Sequence, residues 1–161
     1  MNDGMIPQRI TPDYPHWLAV LRLILDAFAF MEIRIDPPSS AHRLTVADMA
    51  AQAQIGAVWV IEHNAAPIAC LFAKPQSGAP LYLGKIAVAG SHRGRGLLRH
   101  LIASAEAEAR ARNLPRLELQ TRIELTENHA AFTHLGFVKT AETAHPGFDR
   151  PTSITMSRRG A

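Results

Sequence analysis

Apolar residues recur along this chain with two periods, and turn residues mark where one period gives way to the other. From Trp17, residues Leu18, Leu21, Leu25 and Phe28 follow at three- and four-residue spacing, which predicts one helix face running to about Met31. Ahead of it, Gln8 to Thr11 reads as a short strand, and Pro15 stands where a helix can begin. Asp36-Pro37-Pro38-Ser39-Ser40 then breaks the helix, because proline lacks a donor and restricts its predecessor. A second helix is expected over about 45–54, capped by Thr45 or Ser40, with Leu44, Met49 and an alanine-rich surface for packing.

Three apolar runs come next: Ala57 to Ile61, Ile68 to Phe72, and Leu81 to Val88. Glu62 to Pro67 is short enough to be a hairpin loop, and 74–80, with Pro75, Gly78 and Pro80, is also short. Short connections cannot carry a parallel crossover, so these three strands form an antiparallel meander. The following helix is the clearest element. Leu97, Leu101, Ile102, Ala105 and Ala109 share one face, while Glu106 with Arg110 and Glu108 with Arg112 pair on the other, and Asn113 and Pro115 end it. Leu117 to Thr121 is a fifth strand, free to lie parallel to its predecessor because a helix intervenes. A short helix from about Asn128 to Leu135, closed by Gly136, and strands near 137–144 and 152–157 complete the chain. The expected fold is an α/β domain over 1–161: a mixed, mostly antiparallel central sheet of about six to seven strands flanked by helices.

Composition agrees with a folded globular chain. Of 161 residues, 47% are apolar, enough for a core without disulfide or metal staples. The one cysteine, Cys70, lies in an apolar run and reads as a buried small hydrophobe in a reducing compartment. No apolar signal core opens the sequence and no run is long enough to span a bilayer, so a cytoplasmic protein without membrane contact is expected. Lys and Arg exceed Asp and Glu by 17 − 14 = 3 and are spread along the chain, which suits an anionic small molecule and disfavours nucleic acid. The eight histidines show no metal-ligand spacing on a predicted element, so no metal is expected. Trp17 and Trp59 read as core.

The chemistry concentrates at Ser91-His92-Arg93-Gly94-Arg95-Gly96-Leu97-Leu98, between a strand and an amphipathic helix. Glycines permit the tight turn, and the unpartnered N–H groups opening the helix point at an anion that its dipole and two arginines also favour. Two phosphate motifs fail here. Gly78 to Gly84-Lys85-Ile86 has one residue too many for a Walker A loop and Ile where the hydroxyl belongs, and Arg99 stands where a dinucleotide fingerprint needs its third glycine.

The pattern that remains, Ile86-Ala87-Val88-Ala89-Gly90-Ser91-His92-Arg93-Gly94-Arg95-Gly96-Leu97-Leu98 followed by Asn128 to Leu135-Gly136-Phe137, resembles the GCN5-related N-acetyltransferase family in its motifs and in the order of its elements. The resemblance implies acetyl-CoA as co-substrate, held by Ile86, Ala87, Val88, Arg93, Gly94, Arg95, Gly96, Leu97, Leu98, Asn128 and Phe132. It also implies an oxyanion donor in the backbone N–H of Val88 or its neighbour Ala87, and a small-molecule or peptide amine as acceptor. Homodimers are common in that family. His145, in the loop before the last strand, either touches substrate and shuttles a proton or is an exposed loop residue. Glu32, Arg34 and Asp36 either line the acceptor pocket or form a solvated helix end; Tyr82 and Glu118 either reach the cleft or belong to core and edge.

The sequence departs from the family pattern at four points. Ser91 replaces the usual Gln or Arg, which weakens one contact to the pyrophosphate while leaving the backbone ones. Leu98 replaces a small residue. Asn128 lies closer to Leu135-Gly136-Phe137 than the family's asparagine does, and its other reading is a helix cap. Phe132 stands where many members carry a tyrosine that protonates the departing sulfur, and phenylalanine donates no proton. Two functions therefore stay open: an acetyl-CoA-dependent N-acetyltransferase, and a non-catalytic acyl-CoA-binding or sensing protein of the same fold.

Overall fold

The computed structural model describes residues 5–29, 35–36, 43–76 and 80–159. Over these the chain runs β1 (Gln8–Ile10), α1 (Trp17–Ala29), α2 (Val46–Ile55), β2 (Ala57–His63), β3 (Ala66–Pro75), β4 (Pro80–Val88), a 3-10 turn (Gly90–His92), α3 (Leu97–Ala111), β5 (Arg116–Arg122), α4 (Thr126–His134), β6 (Val138–Thr143) and β7 (Ser153–Arg159). The strands form one seven-stranded sheet in the order β1-β2-β3-β4-β5-β7-β6. Only β4 and β5 are parallel, joined through α3 as the intervening helix requires.

Each face of the sheet has its own apolar layer. On one, α1 and α2 bury Trp17, Val20, Ile24 and Met49 against Val58, Val60, Cys70 and Phe72. On the other, Leu97, Leu101, Ile102, Ala105 and Ala109 of α3, with Phe132 of α4, cover Trp59, Leu71, Leu83 and Leu119. The face expected for α3 is thus the buried one, and both of its ion pairs form, Arg110 to Glu106 at 3.3 Å and Arg112 to Glu108 at 2.6 Å. For α1 the expectation fails. Leu18 is 64% and Leu25 37% exposed, and the buried stripe is Trp17, Val20, Leu23 and Ile24. With Arg22 and Asp26 its only charges, the helix is apolar nearly all round, so periodicity alone does not choose the stripe that meets the sheet.

Local chemistry sets the element ends. Thr45, not Ser40, opens α2, in a reciprocal capping box: its hydroxyl accepts the Asp48 N–H and the Asp48 carboxylate accepts the Thr45 N–H, both at 3.1 Å. The loop expected over 62–67 shrinks to Asn64-Ala65, both with positive φ, so β2 runs to His63 and β3 takes in Pro67 at a register shift. Both α3 and α4 close on a Schellman motif: Leu114 N–H to Ala109 O at 2.8 Å around left-handed Asn113, and Phe137 N–H to Phe132 O at 3.0 Å around left-handed Gly136. Helix α4 begins at Thr126, two residues ahead of expectation, so Asn128 lies inside the helix and does not cap it; Leu125 stands at the N-cap with no side-chain bond.

Gly56 joins α2 to β2 where the backbones nearly touch, and a Cβ there would lie 2.1 Å from Ala73 O. Gly56→Ala is therefore expected to lower the unfolding free energy by about 2–3 kcal/mol. Gly90→Ala, whose Cβ would meet nothing within 4 Å, should change it by less than about 0.5 kcal/mol. Urea denaturation of both variants measures the contrast.

Candidate active site

The site begins where β4 leaves β5. The two strands pair from Pro80↔Arg116 to Leu83↔Leu119 and no further. On the other edge of β4, Phe72 faces Gly84 and Cys70 faces Ala87, so Lys85 and Ile86 together oppose Leu71 alone. That is a β-bulge, with Lys85 in the left-handed region at φ 48°. The extra residue bends β4 away and switches which side chains face which layer: Leu81 and Leu83 pack with α3 before it, Ile86 and Val88 after it.

The bend leaves one backbone donor without a strand partner. Ala89 donates its N–H to Ile68 O on β3 at 2.7 Å. Because successive N–H groups along a strand point to opposite sides, Ala87 faces β3 as well and Val88 points into the gap. Of the two oxyanion candidates named from sequence, Val88 is the one turned toward the opening.

Beyond Val88 the chain makes the 3-10 turn and enters α3 through Gly94 at φ 79° and Gly96 at φ 76°. A Cβ on either glycine would meet no atom within 4 Å, so these glycines supply a left-handed backbone and an open surface; they do not relieve crowding. Gly96 is the N-cap and offers no side-chain acceptor, and the first ladder bond is His100 N–H to Gly96 O at 3.3 Å. The N–H groups of Leu97, Leu98 and Arg99 thus have no helical carbonyl and face outward at the positive end of the dipole.

These features share a cleft of about 980 Å³. Of the residues expected to hold the co-substrate, Ile86, Ala87, Val88, Arg93, Gly94, Gly96, Leu97, Leu98, Asn128 and Phe132 line it. Arg95 does not; it is exposed on the outside of the turn. Tyr82 lines the cleft, and burial, then the Glu118 charge, push its phenol up, which keeps it protonated. Glu118 itself is half-buried beside Tyr82 and off the cleft wall. Asp36 lies outside the lining and instead pairs with Arg150 at 2.9 Å, bracing the loop before β7. Arg34 and Glu32 fall outside the described residues.

The lining residues that the sequence did not mark as site candidates include Arg99, Gln120 and Thr121. Arg99 lines the cleft one turn into α3, a position that its distance from Gly96 would have flagged. Gln120 and Thr121 sit past the last β4–β5 pair, and the Thr121 hydroxyl is buried with no hydrogen-bond partner among the described residues. Nothing in the sequence marks that parting of strands. Phe132 is 8% exposed and stacks edge-on to Phe137 at 5.7 Å, so an apolar ring occupies this wall of the cleft.

His145 also lines the cleft, half-buried, and its backbone N–H donates to Thr152 Oγ1 at 2.9 Å. Burial, and then the Arg122 charge, outweigh Glu124 and hold the imidazole below its ordinary value, hence neutral at pH 7. Among the described residues no group of His, Cys, Asp and Glu is arranged to hold a metal, and no helix is long and apolar enough to cross a membrane.

A mixed sheet that opens between two parallel strands beside a glycine-led helix start is the acyl-CoA N-acyltransferase fold. The model of the acetyltransferase (GNAT) family matches residues 17–137, and the chain belongs to that family. No curated protein matches it by sequence. Among solved structures it is similar to an acetyltransferase from Streptococcus agalactiae, with 19% identity, TM-score 0.77 and coverage of 97% of this chain and 98% of that one. It is also similar to a GNAT family acetyltransferase from Elizabethkingia anophelis with acetyl-CoA bound, with 17% identity, TM-score 0.68 and coverage of 98% and 99%. A GNAT family acetyltransferase from Staphylococcus aureus aligns at 12% identity with TM-score 0.76, over 96% and 99%.

Behind the bulge, the Cys70 thiol donates to Lys85 O at 3.3 Å, and burial pushes its pKa up to about 12. Native protein at pH 8 is therefore expected to resist a thiol-reactive aromatic disulfide, and protein unfolded in guanidinium to react with one equivalent. Rapid reaction of the native protein would contradict this burial.

Proposed function

We propose that the protein transfers the acetyl group of acetyl-CoA to a primary amine of a small-molecule or peptide acceptor. One observation carries the reading: the unpaired Val88 N–H and the free N–H groups opening α3 line the same cleft. A CoA thioester needs both, an anion cradle for its pyrophosphate and a donor for the oxygen that gains charge as the carbonyl is attacked. Arg93 and the N–H groups of Leu97, Leu98 and Arg99 would hold the pyrophosphate, with Asn128 and the apolar wall of Ile86 and Phe132 flanking the pantetheine arm. Acetyl-CoA supplies an activated carbonyl and a thiolate leaving group. The protein's own part is to align the thioester along β4, to donate the Val88 N–H to its oxygen, and to accept the proton that the amine gives up.

No tyrosine stands at Phe132 to protonate sulfur. A thiol of pKa about 8.5 leaves tolerably well near neutrality, so transfer does not require that acid. The same residue favours a second reading, an acyl-CoA binder or sensor without turnover. Release of CoA in the presence of a panel of primary amines separates the two.

Gly94→Glu places a side chain and a negative charge at a left-handed position in the cradle. It should weaken acetyl-CoA binding by calorimetry about tenfold or more, and unchanged affinity would remove the cradle from the reading. Phe132→Tyr supplies the missing acid. It should raise CoA release several-fold at unchanged acetyl-CoA affinity; an unaltered rate would mean that sulfur protonation does not limit turnover.

A further inference from the structure

The loop between β6 and β7 is fastened at one fully buried residue, Thr152. Its N–H donates to Thr143 O and its carbonyl accepts from Ile123 N–H, both at 2.9 Å, tying the end of β6 to the turn after β5. Its hydroxyl makes three contacts: it accepts the His145 backbone N–H at 2.9 Å, it reaches Thr143 O at 3.4 Å, and it hydrogen-bonds His145 Nδ1. A hydroxyl has one proton and two acceptor positions. All three contacts are satisfied together only if the proton goes to Thr143 O and the ring bond runs from Nδ1–H to Oγ1, an assignment made from the network. The lone pair of neutral His145 then resides on Nε2. Nδ1 is held by a buried residue, Nε2 lies on the ring edge away from it, and His145 lines the cleft.

We infer that Thr152 is the positioning residue for His145, fixing the tautomer whose Nε2 accepts the proton of the attacking amine; the inference rests on the acetyl-transfer reading. The balance is simple. An ammonium acceptor gives one proton to Nε2, its nitrogen lone pair bonds the thioester carbonyl carbon, and the C–S bond breaks with its electrons on sulfur. The second nitrogen proton ends on sulfur, and the imidazolium returns its proton to water. The charged groups bearing on the ring are Arg122 at the end of β5 and Glu124 in the turn to α4, opposed in sign, with burial adding to the arginine. In its own loop, Arg150 is engaged with Asp36. The neutral form therefore prevails at pH 7, and activity should fall on the acid side as the ring protonates.

The test compares wild type, Thr152→Ser, Thr152→Val and His145→Asn. Side-chain long-range 1H–15N NMR, with His145→Asn assigning the signal, should show neutral His145 as the Nδ1–H tautomer in wild type and Thr152→Ser, and as a mixture in Thr152→Val. CoA release from acetyl-CoA with a panel of primary amines should drop about tenfold in Thr152→Val and in His145→Asn, and recover in Thr152→Ser. Acetyl-CoA affinity by calorimetry should stay the same in all four. An active wild type whose His145 carries its proton on Nε2, or a Thr152→Val enzyme as fast as Thr152→Ser, overturns this assignment and leaves acetyl transfer standing. A folded wild type that binds acetyl-CoA but releases CoA to no amine overturns the transferase reading, and the proton-acceptor role with it.

Discussion

The bulge at Lys85 and Ile86 sets the geometry of the parallel half of the sheet. With unbroken alternation from Gly84 the Val88 N–H would turn toward β3; the extra residue turns it instead to the side from which β5 has parted. A lysine with left-handed φ costs on the order of 1–3 kcal/mol, and the surroundings hold it there. The Cys70 thiol bonds the Lys85 carbonyl at 3.3 Å, and the amine reaches Gln52 Oε1 at 3.4 Å and lies 5.7 Å from the Phe72 ring centroid. The buried layer beneath α1 and α2 thus stabilises a backbone distortion whose effect appears at the opening of the sheet.

Two kinds of structure meet at that opening. The donor side is backbone: strand N–H, helix N–H and two left-handed glycines, all rigidly tied to the sheet and to the apolar face of α3. The wall around His145 is side chains on a connecting loop, and it owes its order to the Thr152 hub and the Arg150–Asp36 pair. Groups that must cradle a large anion are best preorganised, whereas a group that exchanges protons needs access to solvent. The division also explains why Phe132 is tolerable. It packs against Phe137 as part of the core, and in the proposed transfer proton handling falls to His145.

Legibility in the sequence followed how local each determinant is. The α3 stripe was readable because one face is apolar and the other charged, so the period admits a single phase. The glycine turn was readable because left-handed backbone and an open cradle leave few other residues for the place. The α1 face was not, since leucines stand on both sides of the helix and only docking on β3 and β4 selects Val20 and Ile24 over Leu18 and Leu25. Asn64 hints at a tight hairpin, but Ala65 beside it carries no such preference, and the expected loop came out too long.

By itself, then, the amino-acid order determined the succession of elements, the parallel crossover around α3 and the glycine turn that opens it, because each rests on spacing within one element or between neighbouring ones. Tertiary structure decided the rest: the bulge, the choice of Val88 over Ala87, the retreat of Arg95 and Asp36 from the cleft, and the approach of Thr121 and Arg99 to it. These depend on where β3, β5 and the loop before β7 sit relative to β4. Such long-range register comes from burying two apolar layers at once, which no local pattern of residues encodes.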